Sequence, residues 1–244
     1  MATIREKRAR KRLERTAYHE AGHAVAAFAY GLPFRYVTII PRGDLLGYVR
    51  VYSLPKWFSP DIEWGEVYKV ITESRVVSDY AGSKAEKKIS GRYSHLGARG
   101  DYDSMLDMSR LDQQCLDVCG SKADALVDSH WSGIKALAKA LLREKKIAAS
   151  EAREIIAAAL PRKLVDAASK RAAKRRRLMR RKAREVRELW ITERCWGVRI
   201  KASEKGEELT LGELARRVFD APLSSISKTS MATIRACVLP KGRR

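Results

Sequence analysis

The feature that most constrains this chain is the stretch TAYHEAGHAVAAFAYG, residues 16–31, where two histidines and a glutamate interrupt a run of Ala, Val and Phe. Thr3 followed by Glu6 matches a capping box, which predicts a helix that begins near residue 4. We expect this helix to end at Gly31, with Pro33 just beyond it. A helix this apolar normally excludes His and Glu, so these residues need either a chemical role or buried partners.

The spacing of the polar residues fits a metal site. His19 and His23 are four residues apart, so on a helix both imidazoles share one face and can reach one Zn²⁺ at about 2.0–2.1 Å. Glu20 lies beside them and can take a proton from a water molecule at the metal. The alternative is a buried Glu and two core histidines, each satisfied by hydrogen bonds. The apolar setting of the pattern favours metal binding.

Charge divides the chain into unequal parts. Net charge is +5 over residues 1–15, +1 over 16–160, +10 over 161–188 and +5 over 189–244. A nearly neutral central domain with strongly basic extensions suggests separate regions for an anionic partner. We therefore predict four parts: a basic N-terminal arm (1–15), a central domain (16–160), a basic helix or linker (161–190) and a small C-terminal module (191–244).

The remaining patterns predict a mainly α fold with a small β-hairpin. RYVTIIP and GYVRVYSLP are β-branched and aromatic runs typical of two paired strands. Helical spacing follows the Ser59-Pro60 pair and recurs over 101–119, between Gly100 and Gly120. A helical pair is expected before Pro161, and a long basic helix over 162–190.

Neither a membrane span nor a secretory signal is predicted. The longest apolar run, between Ala24 and Leu32, is far shorter than the roughly 20 residues that a spanning helix needs. His19 and Glu20 interrupt the apolar stretch that follows the basic N-terminus, and no small-residue cleavage site comes after it. The four cysteines form no C-x-x-C pair, so we expect reduced thiols and a cytoplasmic protein.

The order of motifs resembles the peptidase domain of the FtsH-type zinc metalloproteases. AYHEAGHAV, VTIIPRG and LGYV follow one another at the family's spacing, and HEAGH with VTIIPRG is a specific pair. AGSKAEKKISG, LGARGDYDSMLDMSR and LVDSHWSGIKALAKALLREKKIAASEAREII are weaker matches to later family segments, so the resemblance spans roughly residues 16–160. It implies a helical zinc metalloendopeptidase that hydrolyses unfolded or flexible protein segments.

The family uses an aspartate as its third zinc ligand, and the resemblance places that role on Asp101. An ordinary helix N-cap is the alternative for Asp101, and His95 and His130 are the other candidate ligands. The chain departs from the family where Gly100 replaces an Asn and where the Gly-Gly-Arg segment reads Ala-Gly-Ser over 81–83. These departures bear on hydrogen bonds around the ligands more than on the metal.

The family also places an AAA+ ATPase and membrane helices before the peptidase domain. None of the 15 glycines here is followed by lysine, so the 244 residues contain no Walker A loop. We therefore expect either a separate ATPase unfoldase as a partner or substrates that are already unfolded. The edge of VTIIP or GYVRV could pair with an extended substrate, although a plain hairpin packed on the core is an equal alternative.

The basic stretch over 170–187 predicts a helix that contacts nucleic-acid phosphates, with these candidate residues: Arg175, Arg176, Arg177, Arg180 and Arg181. A solvated linker, or docking on an acidic protein, is the alternative. Residues 191–244 have the rhythm of a helix-turn-helix, although a small helical cap explains them equally well. The rival functions for the whole chain are a nucleic-acid-binding protein on a peptidase-like scaffold and a regulatory protease that cuts a DNA-bound repressor.

Overall fold

A computed structural model describes residues 3–55, 58, 65–92, 100, 101, 103, 105 and 113–238. The described chain is mainly helical with one three-stranded antiparallel sheet, which confirms the predicted fold class. It forms two compact units, residues 1–177 and 178–244. The predicted division into four parts stays a prediction.

The first unit is organised by helix α1, Ile4–Tyr30. The predicted capping box is present, since the Thr3 side chain accepts from the Glu6 backbone and the Glu6 side chain accepts from the Thr3 backbone. Gly31 ends the helix in the left-handed conformation, as predicted. The first turns are exposed, whereas the half that carries small residues is buried from Thr16 onward. Small side chains let neighbouring elements approach this half closely.

A strand that the sequence analysis considered as a free edge is the central strand of the sheet. Strand β1 (Phe34–Thr38) pairs with β2 (Tyr48–Val51) as the predicted hairpin, and β3 (Lys146–Ala148) pairs with the other side of β1. The order β2-β1-β3 excludes β1 as a binding edge over the residues paired on both sides. The expectation for VTIIP is therefore wrong over Val37 and Thr38, and β2 and β3 are the edge strands of this sheet among the described residues.

The remaining helices of the first unit pack around α1 and the sheet. Their bounds are α2, Glu66–Tyr68; α3, Ser74–Ser90; α4, Gln113–Ser129; α5, Trp131–Glu144; and α6, Ala149–Ala159, with a π-helical turn at Lys69–Glu73. The predicted end at Gly120 is wrong, because α4 continues through it. Gly100, Asp101, Asp103 and Met105 are also helical. Most of the predicted helix between Met105 and α4 lies outside the described residues.

Helix α7, Arg162–Glu204, follows Pro161 and is longer than the predicted basic helix. Its N-terminal part, up to residue 177, belongs to the first unit, where Arg171 donates to the Ala29 carbonyl at 3.2 Å. In the second unit, residues 178–204 of α7 are joined by α8 (Leu211–Phe219), a short 3₁₀ turn and α9 (Lys228–Val238). This unit has its own core, formed by Ile191, Cys195, Leu214, Ala215, Val218 and Ile234. No helix among the described residues is both long and apolar enough to cross a bilayer.

Gly31 and Gly91 each end a helix, but only Gly31 is also tightly packed against another helix. Gly31 and Gly91 both have positive φ, +65° and +76°, which costs an L side chain about 1–2 kcal/mol. A Cβ at Gly31 would lie 2.5 Å from Cα of Ala172, whereas nothing lies within 4 Å of one at Gly91. We expect Gly91→Ala to lower the free energy of unfolding by the strain alone, and Gly31→Ala by about 1–3 kcal/mol more. Urea unfolding measures both; equal losses would contradict the close contact of α1 with α7.

Candidate metal centre

Three ligand atoms from distant parts of the sequence converge in the first unit. His19 and His23 lie one turn apart on α1, and their Nε2 atoms are 3.0 Å apart. Oδ2 of Asp101 lies 3.0 Å from Nε2 of His19 and 3.3 Å from Nε2 of His23. Ligands at about 2.0–2.1 Å from a tetrahedral zinc are about 3.3 Å from one another. The three atoms therefore form a triangle of the size that one face of a zinc tetrahedron requires.

The other nitrogen of each ring fixes which nitrogen is available for a metal. Nδ1 of His23 lies 2.7 Å from the Ser78 carbonyl, which can only accept, so this nitrogen carries the proton. Nδ1 of His19 lies 3.1 Å from Oε2 of Glu86, and an ionised carboxylate likewise only accepts. Both Nε2 lone pairs are thereby directed to the same point, as metal-binding histidines require.

Glu86 contacts the cluster, although the sequence reasoning assigned it no role. Its Oε1 accepts from Nε and Nη2 of Arg15, at 3.0 and 2.6 Å, while Oε2 faces His19. Burial raises the pKa of Glu86, but the hydrogen bonds from His19 and Arg15 outweigh it and hold this pKa below its usual value. Ser78, Gly82 and Glu86 recur every four residues on the face of α3 toward α1. This four-residue spacing is visible in the sequence and could have indicated that Glu86 lies on the same helix face as Ser78 and Gly82.

Gly82 provides the space for the His23 ring. A Cβ at this position would overlap the imidazole and lie 2.7 Å from its Cδ2. Gly22 lets the backbones of α1 and α3 approach each other, because a Cβ there would collide with the Ala81 carbonyl and lie 2.9 Å from Cβ of Ala85. The Ala-Gly-Ser sequence at 81–83 therefore serves the close packing of α3 on α1.

Glu20 is buried next to this cluster with part of its hydrogen-bonding capacity unused. The side chain is 5% exposed, and no described residue donates to its Oε2. Burial raises its pKa, against the lowering effect of His19 and His23. Gly47, just before β2, leaves room for it, since a Cβ there would lie 2.8 Å from Cγ of Glu20. A buried acceptor without a donor is costly, which suggests that a reactant supplies the donor.

Asp101 faces the histidines instead of capping a helix. Asp101 and Gly100 are both helical, whereas an N-cap residue is not, so the capping alternative is wrong. Burial raises the pKa of Asp101, but the charges and hydrogen bonds of His23 and His19 outweigh it and leave this pKa well below its usual range. Together with the two histidines it forms the group, among the described residues, that could hold a metal ion.

The other candidate ligands do not join this group. His130 is buried between α4 and α5, where its Nδ1 lies 3.1 Å from the Leu126 carbonyl and 2.9 Å from Oγ of Ser129. It is not among the described residues whose ligand atoms group with those of His19 and His23. His95 lies outside the described residues.

The five arginines proposed to contact nucleic acid do not share one environment. Arg175 is half-buried and donates to the Val70 carbonyl at 3.1 Å, so it is committed to packing within the first unit. Burial, with the nearby charge of Arg75, lowers its pKa to about 10. Arg176, Arg177 and Arg180 are exposed. Arg181 is exposed as well and pairs with Glu185 at 3.6 Å.

Residues 5–112 match the family model described as Peptidase family M41. The ATP-dependent zinc metalloprotease FtsH of Haemophilus influenzae is 35% identical over 103 residues, which are 41% of this chain and 15% of that protein. YME1L1, an ATP-dependent zinc metalloprotease of Rattus norvegicus, is 34% identical over 99 residues, 39% of this chain and 13% of that protein. FtsH of Magnetococcus marinus is 34% identical over 102 residues, 41% of this chain and 14% of that protein.

Residues 5–112 thus match an FtsH-type peptidase region, as the sequence motifs indicated. The family match contains α1 from its second residue onward, the hairpin, α3 and Asp101, which are the elements that build the cluster. The aligned part is less than a fifth of each of these relatives, and the match ends before the basic half of α7.

Gly82 offers a direct test of the geometry. Gly82→Ala forces the His23 ring away from the position at which its Nε2 meets the other two ligand atoms, so zinc affinity should fall at least about tenfold. Gly120→Ala is the matched control, because a Cβ there meets nothing within 4 Å. Competition with a chelating dye measures both affinities. Equal affinities for the two variants would contradict the position of His23.

Protons and a metal compete for the same nitrogens. Burial lowers the pKa values of His19 and His23, but hydrogen bonds and charges from Asp101, with Glu86 acting on His19, raise them to about 10 and about 9. Below pH 9 the metal-free cluster therefore holds at least one proton that a cation must displace. Between pH 6 and 8, zinc affinity should rise about tenfold per pH unit for each proton released. An affinity that stays constant over this window would contradict this coupling.

Proposed function

We propose that this chain is a zinc metalloendopeptidase that hydrolyses peptide bonds in unfolded or flexible protein segments. One observation carries the proposal: three ligand atoms form a zinc-sized triangle beside a buried carboxylate oxygen that lacks a donor. The match of residues 5–112 to the M41 family model supports it, because the similar proteins are named zinc metalloproteases. The activity of those whole proteins is not carried over by a match to less than a fifth of their length.

His19, His23 and Asp101 are the proposed ligands, and they leave one tetrahedral position open for a reactant. When bound, Zn²⁺ lowers the pKa of a water molecule and polarises a peptide carbonyl. Glu86 and the Ser78 carbonyl hold the two rings in the tautomer that binds through Nε2. Arg15 keeps Glu86 ionised. Glu86 thereby orients the His19 ring without itself contacting a reactant.

Glu20 is the proposed general base. Its Oε2 accepts a proton from the attacking water and can return that proton to the leaving amine. Burial raises the pKa of Glu20, which makes its carboxylate a stronger proton acceptor. A scaffold that only binds nucleic acid has no need for a buried carboxylate oxygen without a donor, so Glu20 favours the enzyme over that alternative.

The β2 strand is the proposed binding edge for substrate. It begins directly after Gly47, which contacts Glu20, and it pairs with β1 on one side only among the described residues. An extended peptide added to this edge would gain backbone hydrogen bonds whatever its side chains are. Such binding requires an unfolded or flexible segment. We propose that these 244 residues cleave such segments without ATP.

Substitution of the general base tests the enzyme. Glu20→Gln preserves the shape but cannot accept a proton, so casein cleavage without nucleotide should fall by about 10²–10⁴-fold while zinc content stays the same. Glu154→Gln, on the exposed face of α6, is the matched control and should retain wild-type activity. Adding ATP should leave the wild-type rate unchanged. Equal cleavage by the two variants, or a wild-type rate that depends on ATP hydrolysis, would remove the corresponding part of the proposal.

A further inference from the structure

The second unit has a helical arrangement that the peptidase proposal does not use. α8 and α9 pack with the C-terminal part of α7 around a core that includes Ile191, Leu214 and Ile234. The connection from α8 to α9 spans eight residues and contains a 3₁₀ turn at Leu223–Ser225, so it is longer than the usual helix-turn-helix connection of 3–4 residues. The order of the helices nevertheless matches the helix-turn-helix pattern that the sequence suggested for residues 191–244.

Helix α9 has one buried face and one exposed face. Ser230 and Ile234 are buried in the unit. The opposite face consists of exposed residues at positions that a helix brings into one stripe: Lys228, Thr229, Ala232, Arg235 and Ala236. These side chains are two cations, a hydroxyl and two small apolar groups, and α9 contains no Asp or Glu. A helix face of this kind suits the edges of bases and the phosphates beside them.

Two caps fix where the helices of this unit begin. Oγ of Ser227 accepts from the Ser230 backbone at 3.2 Å at the start of α9. At the start of α8, Thr210 and Glu213 form a capping box. The N-terminal end of α9 is therefore anchored, with Lys228 and Thr229 exposed in its first turn. In helix-turn-helix proteins, the N-terminal residues of the second helix are the ones that contact base edges.

The charge of the second unit complements a polyanion. Residues 178–244 contain 16 Lys and Arg and 8 Asp and Glu, a net charge of +8. Several of the acids are already engaged within the unit: Glu207 pairs with Arg217 at 2.7 Å, and Glu213 is held in the capping box. The exposed face of α9 therefore adds positive charge without an opposing carboxylate on the same helix.

We propose that the second unit binds double-stranded DNA, with α9 as the recognition helix in the major groove. The major groove of B-DNA is wide enough for an α-helix, whereas that of A-form RNA is too narrow. Stacking on single-stranded bases is disfavoured, because the exposed Trp190 and Trp196 are each covered by an arginine, at 5.1 and 5.4 Å from the ring centroid. DNA binding by the second unit does not depend on the proposed peptidase activity.

Sequence selectivity is the readout that isolates α9, because electrostatic binding by the other basic segments would not depend on the sequence of the duplex. The full chain is used to select binders from a library of random 20-base-pair DNA duplexes at about physiological salt. The expected result is an enriched sequence that binds at least about 10³-fold more tightly than its scrambled version. Thr229→Ala and Arg235→Ala should each reduce that ratio by about 5- to 150-fold. Both residues lie on the exposed face, so folding, checked by thermal unfolding, should be unchanged.

Lys205→Ala is the matched control, because it removes an exposed cation of the same unit outside α9 and should keep the ratio. Glu20→Gln should keep it too, which separates DNA binding from the peptidase. Three results would overturn the proposal: no enriched sequence, the same ratio in Arg235→Ala as in Lys205→Ala, or tighter binding of a double-stranded RNA or single-stranded DNA of the selected sequence than of the DNA duplex.

Discussion

The close contact between α1 and α3 is the constraint on which the site depends. Gly22 on α1 and the Ala81-Gly82 pair on α3 leave no room for larger side chains, so the two backbones meet almost directly. This contact brings the Ser78 carbonyl and the Glu86 carboxylate to the outer nitrogens of the two imidazoles. The histidines are therefore fixed by a neighbouring helix, and not by their own helix alone.

That arrangement buries an unusual number of ionisable groups. His19, Glu20, His23 and Glu86 are each less than a tenth exposed, in the interior of a unit that is otherwise built from Ala, Val and Ile. Groups of this kind are costly to bury unless they are paired or bind a metal. Each Nδ1 has a protein partner, and among the described residues the two Nε2 atoms share only Asp101. A divalent cation is the partner that satisfies both Nε2 atoms at once.

Local signals in the sequence were sufficient for α1 and the hairpin. Caps, apolar runs and the four-residue spacing of the histidines are all contained within one element. What depends on contacts between distant elements was not readable in the same way. The KIA segment at 146–148 becomes a strand only because β1 offers it an edge, and α4 passes through Gly120 because its neighbours hold it there. Arg175 looked like part of a solvated basic face, yet it donates to the Val70 carbonyl in the π-helical turn and is half-buried in the first unit. The role of Asp101 came from the family resemblance, since its position 82 residues from His19 carries no local pattern.

Binding of one zinc ion by His19, His23 and Asp101 can be tested by zinc-edge X-ray absorption of the full chain, purified without added metal and dialysed against a weak chelator. We expect one zinc per chain with nitrogen and oxygen neighbours at about 2.0–2.1 Å, and loss of the metal in Asp101→Ala. A chain that retains no zinc, or a spectrum dominated by sulfur at about 2.3 Å, which only cysteine ligands would give, would contradict it.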